Sequence, residues 1–449
     1  MNNLNFLVDV LKESPVFKTL EKNVKPGRTV CASGLSTINK SNIIYALCRL
    51  KGVTAFCLAS DEKEAQTLCN DLSCMGLRAY VYPVRDFNFL DFQSRSHEYE
   101  HARLKVLLKL INHECDVAIA CVDAAAQLTV PRNVLEQSVI EFEEGRELSL
   151  EKATKALTLL GYERFDAVEG SGQFSLRGGI LDFFMPDSDY PVRCEFWGDE
   201  ITDLSYFDIE TQRRFKKADK ITLSPSTEIV IEDRAALADK IEHKAKLLRS
   251  KNSAKAKEKL FSEAELIRSG AMIANADKFI NQIYDKPESL FDYFDRNTLV
   301  FASEFTAIQE RGKSMDFISN ETLMQGFEDG TLCRGFDRFA LTFNECTEFL
   351  QSHGTIVLEN FVHGSMPLKL SEIISFSTKQ LSAWGGSYKQ LKEDVDGLFT
   401  PESRGVIFAG TERAAKNLCD TFNADGINAV YSEGADKISK GELLVMQGA

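Results

Sequence analysis

The sequence predicts a multidomain α/β protein. A parallel-sheet domain built on a degenerate P-loop-like strand–loop–helix is interrupted by a small β-rich domain. A small C-terminal α/β domain follows. Three observations lead there. At 449 residues the chain has material for about three domains. Residues 1–125 alternate helical segments with strands that are apolar on both faces, the mark of a mainly parallel sheet. Residues 126–225 then switch to short strands punctuated by Gly-Gly, Pro-Asp and Gly-Asp turns.

Taken in order, an amphipathic segment over 6–20 leads to a strand at 28–33, then a loop and a helix. Strands at 54–59, 78–82 and 116–122 follow, with helices from about residue 61 and over 96–112 between them. These form the first part of the P-loop-like domain, residues 1–125. The β-rich domain, 126–225, has a helix near 150–160 and strands at 165–169, 172–177, 180–185, 192–197 and 201–207. Residues 226–345 return to α/β and complete the first domain. They open on a Lys-rich helical stretch over 240–259, read as a solvated helix face because Glu is interleaved, and add a strand at 298–302. Residues 346–449 read as a small α/β domain with strands at 354–358 and in GVIFAG, INAVY and ELLVMQ, and a helix over 411–422. The chain stops just after the last of these strands, which suggests a fragment cut at a domain edge.

Composition narrows the function classes. With 44% hydrophobic and 27% charged residues the chain is an ordinary soluble globular one. No apolar run approaches a membrane span and no signal-peptide core opens the chain, so a cytoplasmic location without a membrane partner is expected. The net charge of −14 argues against a DNA-clamping surface and favours a protein partner. Eleven cysteines without any CxxC read as reduced thiols, most of them small core residues, and no metal site is expected.

Two motifs invite enzymatic readings. Gly34-Leu35-Ser36-Thr37-Ile38-Asn39-Lys40-Ser41 follows a strand and opens a helix, the context of a phosphate loop. Such a loop wraps phosphate in backbone N–H groups, with Lys on the terminal phosphates and Ser on Mg²⁺. Asn39 replaces the second glycine, and no acidic pair follows the strand DVAIACVDAAA, so a relict loop is the better reading. His97-Glu98-Tyr99-Glu100-His101 is a literal HExxH, which on a helix puts two imidazoles on one face. No third ligand follows at a suitable spacing, and the segment also reads as the polar first turn of the 96–112 helix. No catalytic residue is assigned. The Trp384-Gly385-Gly386-Ser387-Tyr388 segment reads as a loop leading into a helix.

The densest constellation lies in the β-rich domain, in residues 161–186 and 191–201. Alternation puts Phe174 and Leu176 on one face of their strand and Ser175 and Arg177 on the other. Arg193 and Glu195 share a face likewise, against Val192, Cys194 and Phe196. Arg177, Arg193 and Glu195, joined by Arg164, are expected to form an exposed mixed-charge patch suited to a partner's carboxylates. From pattern alone, a solvent face laced with its own salt bridges is the slightly better reading.

YERFDAVEGSGQFSLRGGILDFFMP (162–186), RCEFWGDEI (193–201) and FDIETQRR (207–214) resemble the N-terminal, UvrB-like region of the bacterial transcription-repair coupling factor family, Mfd. The resemblance extends over residues 25–225 and more weakly to the end, WGGSYKQLKEDV included. It implies that the β-rich domain docks onto UvrA, with the docking positions on Arg164, Arg177, Arg193 and Glu195. A further position, arginine in UvrB, is Ser175 here. The stretch over 81–104 is far too short for the lesion-inserting hairpin of UvrB. The resemblance also implies a degenerate phosphate loop at Gly34, Asn39, Lys40 and Ser41, and no metal on the HExxH helix. The expected function is non-catalytic recruitment of UvrA for transcription-coupled excision repair, without a cofactor in this stretch. ATP and Mg²⁺, RNA polymerase and DNA would engage translocase and polymerase-binding domains not included here. Distal domains of the same full-length chain would be further partners. The alternatives are a nucleotide-hydrolysing, DNA-engaging enzyme like UvrB and, more remotely, a zinc protease.

Overall fold

A computed structural model of the chain describes residues 4–85, 97–248, 253–270, 276–361, 366–379, 381, 384–433 and 437–447. The opening stretch forms helices α1 (Asn5–Glu13) and α2 (Pro15–Asn23), strand β1 (Val30–Ser33), α3 (Thr37–Lys51), β2 (Ala55–Ala59), α4 (Glu62–Cys74), β3 (Ala79–Tyr82), α5 (Glu98–Ile111) and β4 (Val117–Cys121). The second stretch forms β5 (Ile140–Glu143), α6 (Leu150–Leu159), β6 (Glu163–Arg164), β7 (Gln173–Arg177), β8 (Ile180–Phe183), β9 (Val192–Trp197), β10 (Glu200–Phe207), β11 (Arg214–Lys217) and β12 (Lys220–Leu223). The third forms α7 (Arg234–Leu247), α8 (Ser253–Ser269), β13 (Leu299–Ser303), α9 (Phe305–Asp329), α10 (Phe343–His353), β14 (Thr355–Glu359) and β15 (Glu372–Ser375). The last comprises α11 (Tyr388–Leu398), β16 (Arg404–Ala409), α12 (Glu412–Ala424), β17 (Ala429–Tyr431) and β18 (Glu442–Gln447).

Seven parallel strands make the large sheet, in the order β15-β1-β14-β13-β2-β4-β3. Its inner strands are short and apolar, and VCAS, AFCLA, VAIAC, LVFAS and TIVLE are buried along their whole length. Alternate residues feed two cores. Cys31, Phe56, Leu58, Ala118 and Ala120 enter one, and Val30, Ala32, Cys57, Val117 and Ile119 the other. Helices cover both faces, as a doubly covered parallel sheet requires.

The predicted boundary at residue 346 moves. The strand expected at 354–358 forms, but as β14 it lies between β1 and β13 in the large sheet, and β15 extends the same sheet beyond β1. The first domain therefore runs on through residue 375. Only β16, β18 and β17 make the separate C-terminal sheet, all parallel, with α12 on one face. Leu444 and Met446 on its other face join the core of the large domain.

Within the β-rich domain a six-stranded sheet runs β11-β10-β9-β8-β7-β6, antiparallel except at the β6–β7 edge. Phe174, Leu181, Phe183, Val192, Cys194 and Leu204 line one face, closed over by Ala153 and Leu157 of α6 and by Phe142, Ile221 and Leu223 of the β5–β12 pair. The strand expected at 165–169 is instead the two-residue β6, immediately before it. The Lys-rich stretch over 240–259 spans the end of α7 and the start of α8, two helices joined by an apolar seam of Leu237, Ile241, Leu260, Ala264 and Ile267. The eleven cysteines are free thiols, eight of them buried. Residues 86–96 of the 81–104 stretch lie outside the described residues.

Candidate functional site

Opposite the β-domain core, the sheet carries a polar face whose rows follow from register. Ser175, Asp182, Arg193 and Ser205 align across β7, β8, β9 and β10, and Arg177, Ile180, Glu195 and Asp203 form the neighbouring row. Cross-strand partners share a face, so Arg177, Arg193 and Glu195 come together as strand alternation predicts. Arg164 does not join them. Its partner in the β6–β7 register is Phe174, of the core-facing row, and it stands exposed at the sheet edge.

The patch is also less free than its sequence implies. Arg193 is only 13% exposed. Its Nε and Nη2 donate to the two oxygens of Asp182 at 2.7 and 2.8 Å. Nη1 and Nη2 also donate to the Gln212 carbonyl and side-chain oxygens at 3.1 and 3.2 Å. The Phe207 ring lies 4.4 Å from its guanidinium carbon. The hydrogen bonds to Asp182 push the Arg193 pKa up, keeping it charged. The expectation that Arg193 is exposed is therefore corrected, because a buried carboxylate on the next strand takes it up. Glu195 is paired with Arg214, which also reaches Asp203 at 2.9 Å.

What remains open on this face is Arg177 and a residue that sequence reasoning passed over. Arg177 is 49% exposed and gives one hydrogen bond, Nη2 to Asp182 Oδ2 at 2.7 Å. Trp197, at the end of β9, is 81% exposed. Alternation from Arg193 through Glu195 puts it on the polar face, so its parity was the available signal. Ser175 is buried, with its hydroxyl donating to the Asp166 carbonyl at 2.8 Å.

The phosphate-loop segment is closed by the chain itself. Gly34 has φ 77°, and a Cβ there would strike the Phe376 carbonyl oxygen, so only glycine fits. The amides of Gly34, Leu35 and Ser36 donate to Asn360 O, Glu359 O and Thr378 Oγ1 at 3.2, 3.0 and 3.2 Å. Lys40 is buried, with Nζ 2.6 Å from Glu304, 3.2 Å from Glu64 and 2.9 Å from Ser303 Oγ. Burial alone would lower its pKa, but the two glutamates raise it above the usual lysine value. Ser41 donates to Asp71 at 2.8 Å, and Asn39 to Ser36 Oγ at 2.7 Å. Glu359 is fully buried with one oxygen unpartnered; burial first, then Glu304 beside it, pushes its pKa up to about 7. A phosphate here would meet carboxylates where it needs donors.

The HExxH segment joins two domains. His97 Nδ1 lies 2.9 Å from Glu100 Oε2, while Glu100 Oε1 accepts from Thr227 Oγ1 and the Glu228 amide at 2.9 and 2.8 Å. His101 Nε2 is 3.1 Å from the Ser226 carbonyl, and burial lowers its pKa. Two residues on, the fully buried Arg103 grips Glu228 through Nε at 2.7 Å and Nη2 at 3.2 Å, under the Tyr82 ring. Among the described residues no group of three His, Cys, Asp or Glu is arranged to hold a metal ion. No helix among them is long and apolar enough to cross a membrane.

The segment that carries this face, residues 140–229, from β5 to just past β12, matches the family model of the UvrB interaction domain. Over nearly its whole length the chain is similar to curated transcription-repair-coupling factors. It is 25% identical over 452 residues to that of Bacillus subtilis strain 168, covering 98% of this chain and 38% of the relative. It is 25% identical over 390 residues to that of Staphylococcus epidermidis strain RP62A, covering 82% and 32%. It is 21% identical over 457 residues to that of Staphylococcus aureus strain MRSA252, covering 99% and 38%. The chain thus spans 32–38% of the length of these relatives. The matches support the resemblance to an N-terminal, UvrB-like transcription-repair-coupling-factor region.

Proposed function

We propose that the chain is a non-catalytic docking module that recruits UvrA in transcription-coupled excision repair. The observation that carries this reading is a rigid polar sheet face with a half-free arginine, Arg177, and an exposed tryptophan, Trp197, inside the segment that matches the UvrB interaction domain. Arginine and tryptophan dominate binding energy at interfaces, one by forked contact with carboxylates and the other by apolar area. Arg193 and Asp182 support this face from beneath, and the Glu195–Arg214 pair forms its rim.

The closed phosphate loop favours docking over nucleotide hydrolysis. ATP and Mg²⁺, and contacts with RNA polymerase and DNA, would then belong to other parts of a longer coupling factor. Titrating UvrA against the chain and against Arg177→Ala and Trp197→Ala by calorimetry tests the reading. Each variant is expected to bind at least tenfold more weakly while melting like the parent. Unchanged affinity in the double variant would refute it. ATP turnover above background that vanishes in Lys40→Ala would favour a UvrB-like enzyme instead.

A further inference from the structure

We propose that Asp182 is a positioning residue of this face: its buried carboxylate, shared between Arg193 and Arg177, holds the Arg177 guanidinium in its binding orientation. This rests on the reading of the face as a docking surface and names the device that pre-orders it.

Asp182 is 1% exposed and sits on β8, hydrogen-bonded between β7 and β9. Its row neighbour Ser175 turns its hydroxyl away to Asp166, leaving the carboxylate to the two arginines. Oδ1 accepts from Arg193 Nε, and Oδ2 accepts from Arg193 Nη2 and Arg177 Nη2, all within 2.7–2.8 Å. Arg193 cannot swing without also leaving Gln212 and the Phe207 ring. Gln212 itself stands in the left-handed region, φ 58°, which aims its carbonyl at Arg193. The carboxylate is thereby fixed from one side. Arg177 is the opposite case, because the bond to Asp182 is its guanidinium's one hydrogen bond among the described residues. An arginine on a flexible stem loses rotamer freedom when it binds, and a partner already held reduces that loss. The chemistry fits a carboxylate-bearing partner group at this point of the face, since one negative charge beneath two positive ones leaves the Arg177–Asp182–Arg193 cluster net positive.

The test measures UvrA association and dissociation on the immobilised full chain, with Asp182→Asn as the variant. It also follows the guanidinium NMR signals of ¹⁵N-arginine-labelled protein. The expected result is dissociation faster by about tenfold, with association unchanged or faster because a negative charge is gone. Separate Nη–H signals of Arg177, visible in the parent, should merge in the variant as rotation is freed. In an Arg177→Ala background, Asp182→Asn should add nothing to the dissociation rate. A purely structural role would lower the active fraction equally in both backgrounds and leave dissociation of the folded protein alone. Dissociation within twofold of the parent, or an equal effect in the Arg177→Ala background, would overturn the proposal. If Asp182→Asn does not fold, Asp182→Asn with Arg193→Gln, an amide pair in place of the ion pair, carries the same measurements. Should the parent chain fail to bind UvrA, the docking reading falls. The NMR signals then still decide the positioning, and their persistence in the variant would refute it.

Discussion

Trp197 and Arg193 stand four residues apart on one strand, and their burial sets opposite expectations for mutation. Trp197 touches mostly water, so Trp197→Ala should leave the melting temperature nearly unchanged. Its loss should instead weaken UvrA binding by about 2 kcal/mol, roughly 30-fold, measurable by calorimetry. Arg193→Ala should do the reverse first, since it strands the buried Asp182 carboxylate with two of its three side-chain hydrogen bonds gone. Destabilisation by about 3–5 kcal/mol is expected in a denaturant titration. Part of this contrast was legible in the sequence. Period two placed Arg177, Arg193 and Glu195 on one face, and the same count reaches Trp197. What pattern could not give was register: which carboxylate faces which arginine, and whether Arg164 belongs to the row, depend on how strands slide against one another. A motif gave the phosphate loop, but the carboxylates that close it come from residues 64, 304 and 359, remote in sequence.

At the scale of elements, α5 shows how a catalytic-looking motif serves as a clamp. Glu100, His101 and Arg103 lie within about one turn of one helix and all reach residues 226–228, where the chain leaves the β-domain. The His101 pKa is lowered by burial, so the folded state disfavours its proton. Above the unfolded value of about 6.5 this costs nothing; as pH falls through it, the unfolded chain takes up the proton more readily and stability drops. Glu359, with its pKa raised to about 7, works the other way and favours the fold less as pH rises from the carboxylate range through neutrality. The comparison that isolates His101 is therefore between variants. The stability gap between His101→Gln and the parent, from urea titrations, should move in favour of the variant as pH falls from 7.5 to 5. A gap constant with pH would show that the ring titrates as freely as in the unfolded chain. Parallel strands were readable because burial on both faces makes them continuously apolar. The strands β6 and β11 were missed because edge strands with exposed Arg and Lys carry no apolar period, and β12 because its alternation, Ile221 and Leu223 buried, lasts only four residues.

For the whole molecule, sheet order decides which pieces can stand alone. The large sheet runs β15-β1-β14-β13-β2-β4-β3, so a strand contributed after residue 350 sits between the first strand of the chain and the rest. Its side chains Ile356 and Leu358 are buried in one core and Val357 in the other. Ending the chain at residue 345, the boundary suggested by sequence, would remove β14 and leave β1 with no neighbour on either side. Burying three aliphatic side chains is worth several kcal/mol before lost hydrogen bonds are counted, a large share of ordinary domain stability. Residues 1–345 are therefore expected to aggregate or to lack a cooperative melt, while residues 1–378 melt cooperatively. Residues 140–229 form the opposite case. Their core draws on their own strands and α6, and β5 at the start pairs with β12 near the end, closing the unit on itself. Excised, that segment should fold and keep the Arg177–Asp182–Arg193 cluster, because every member lies within it. Circular dichroism melts of the three pieces test the topology directly. A cooperative transition in residues 1–345 matching that of 1–378 would mean that β1 does not need β14, contrary to the order of the sheet.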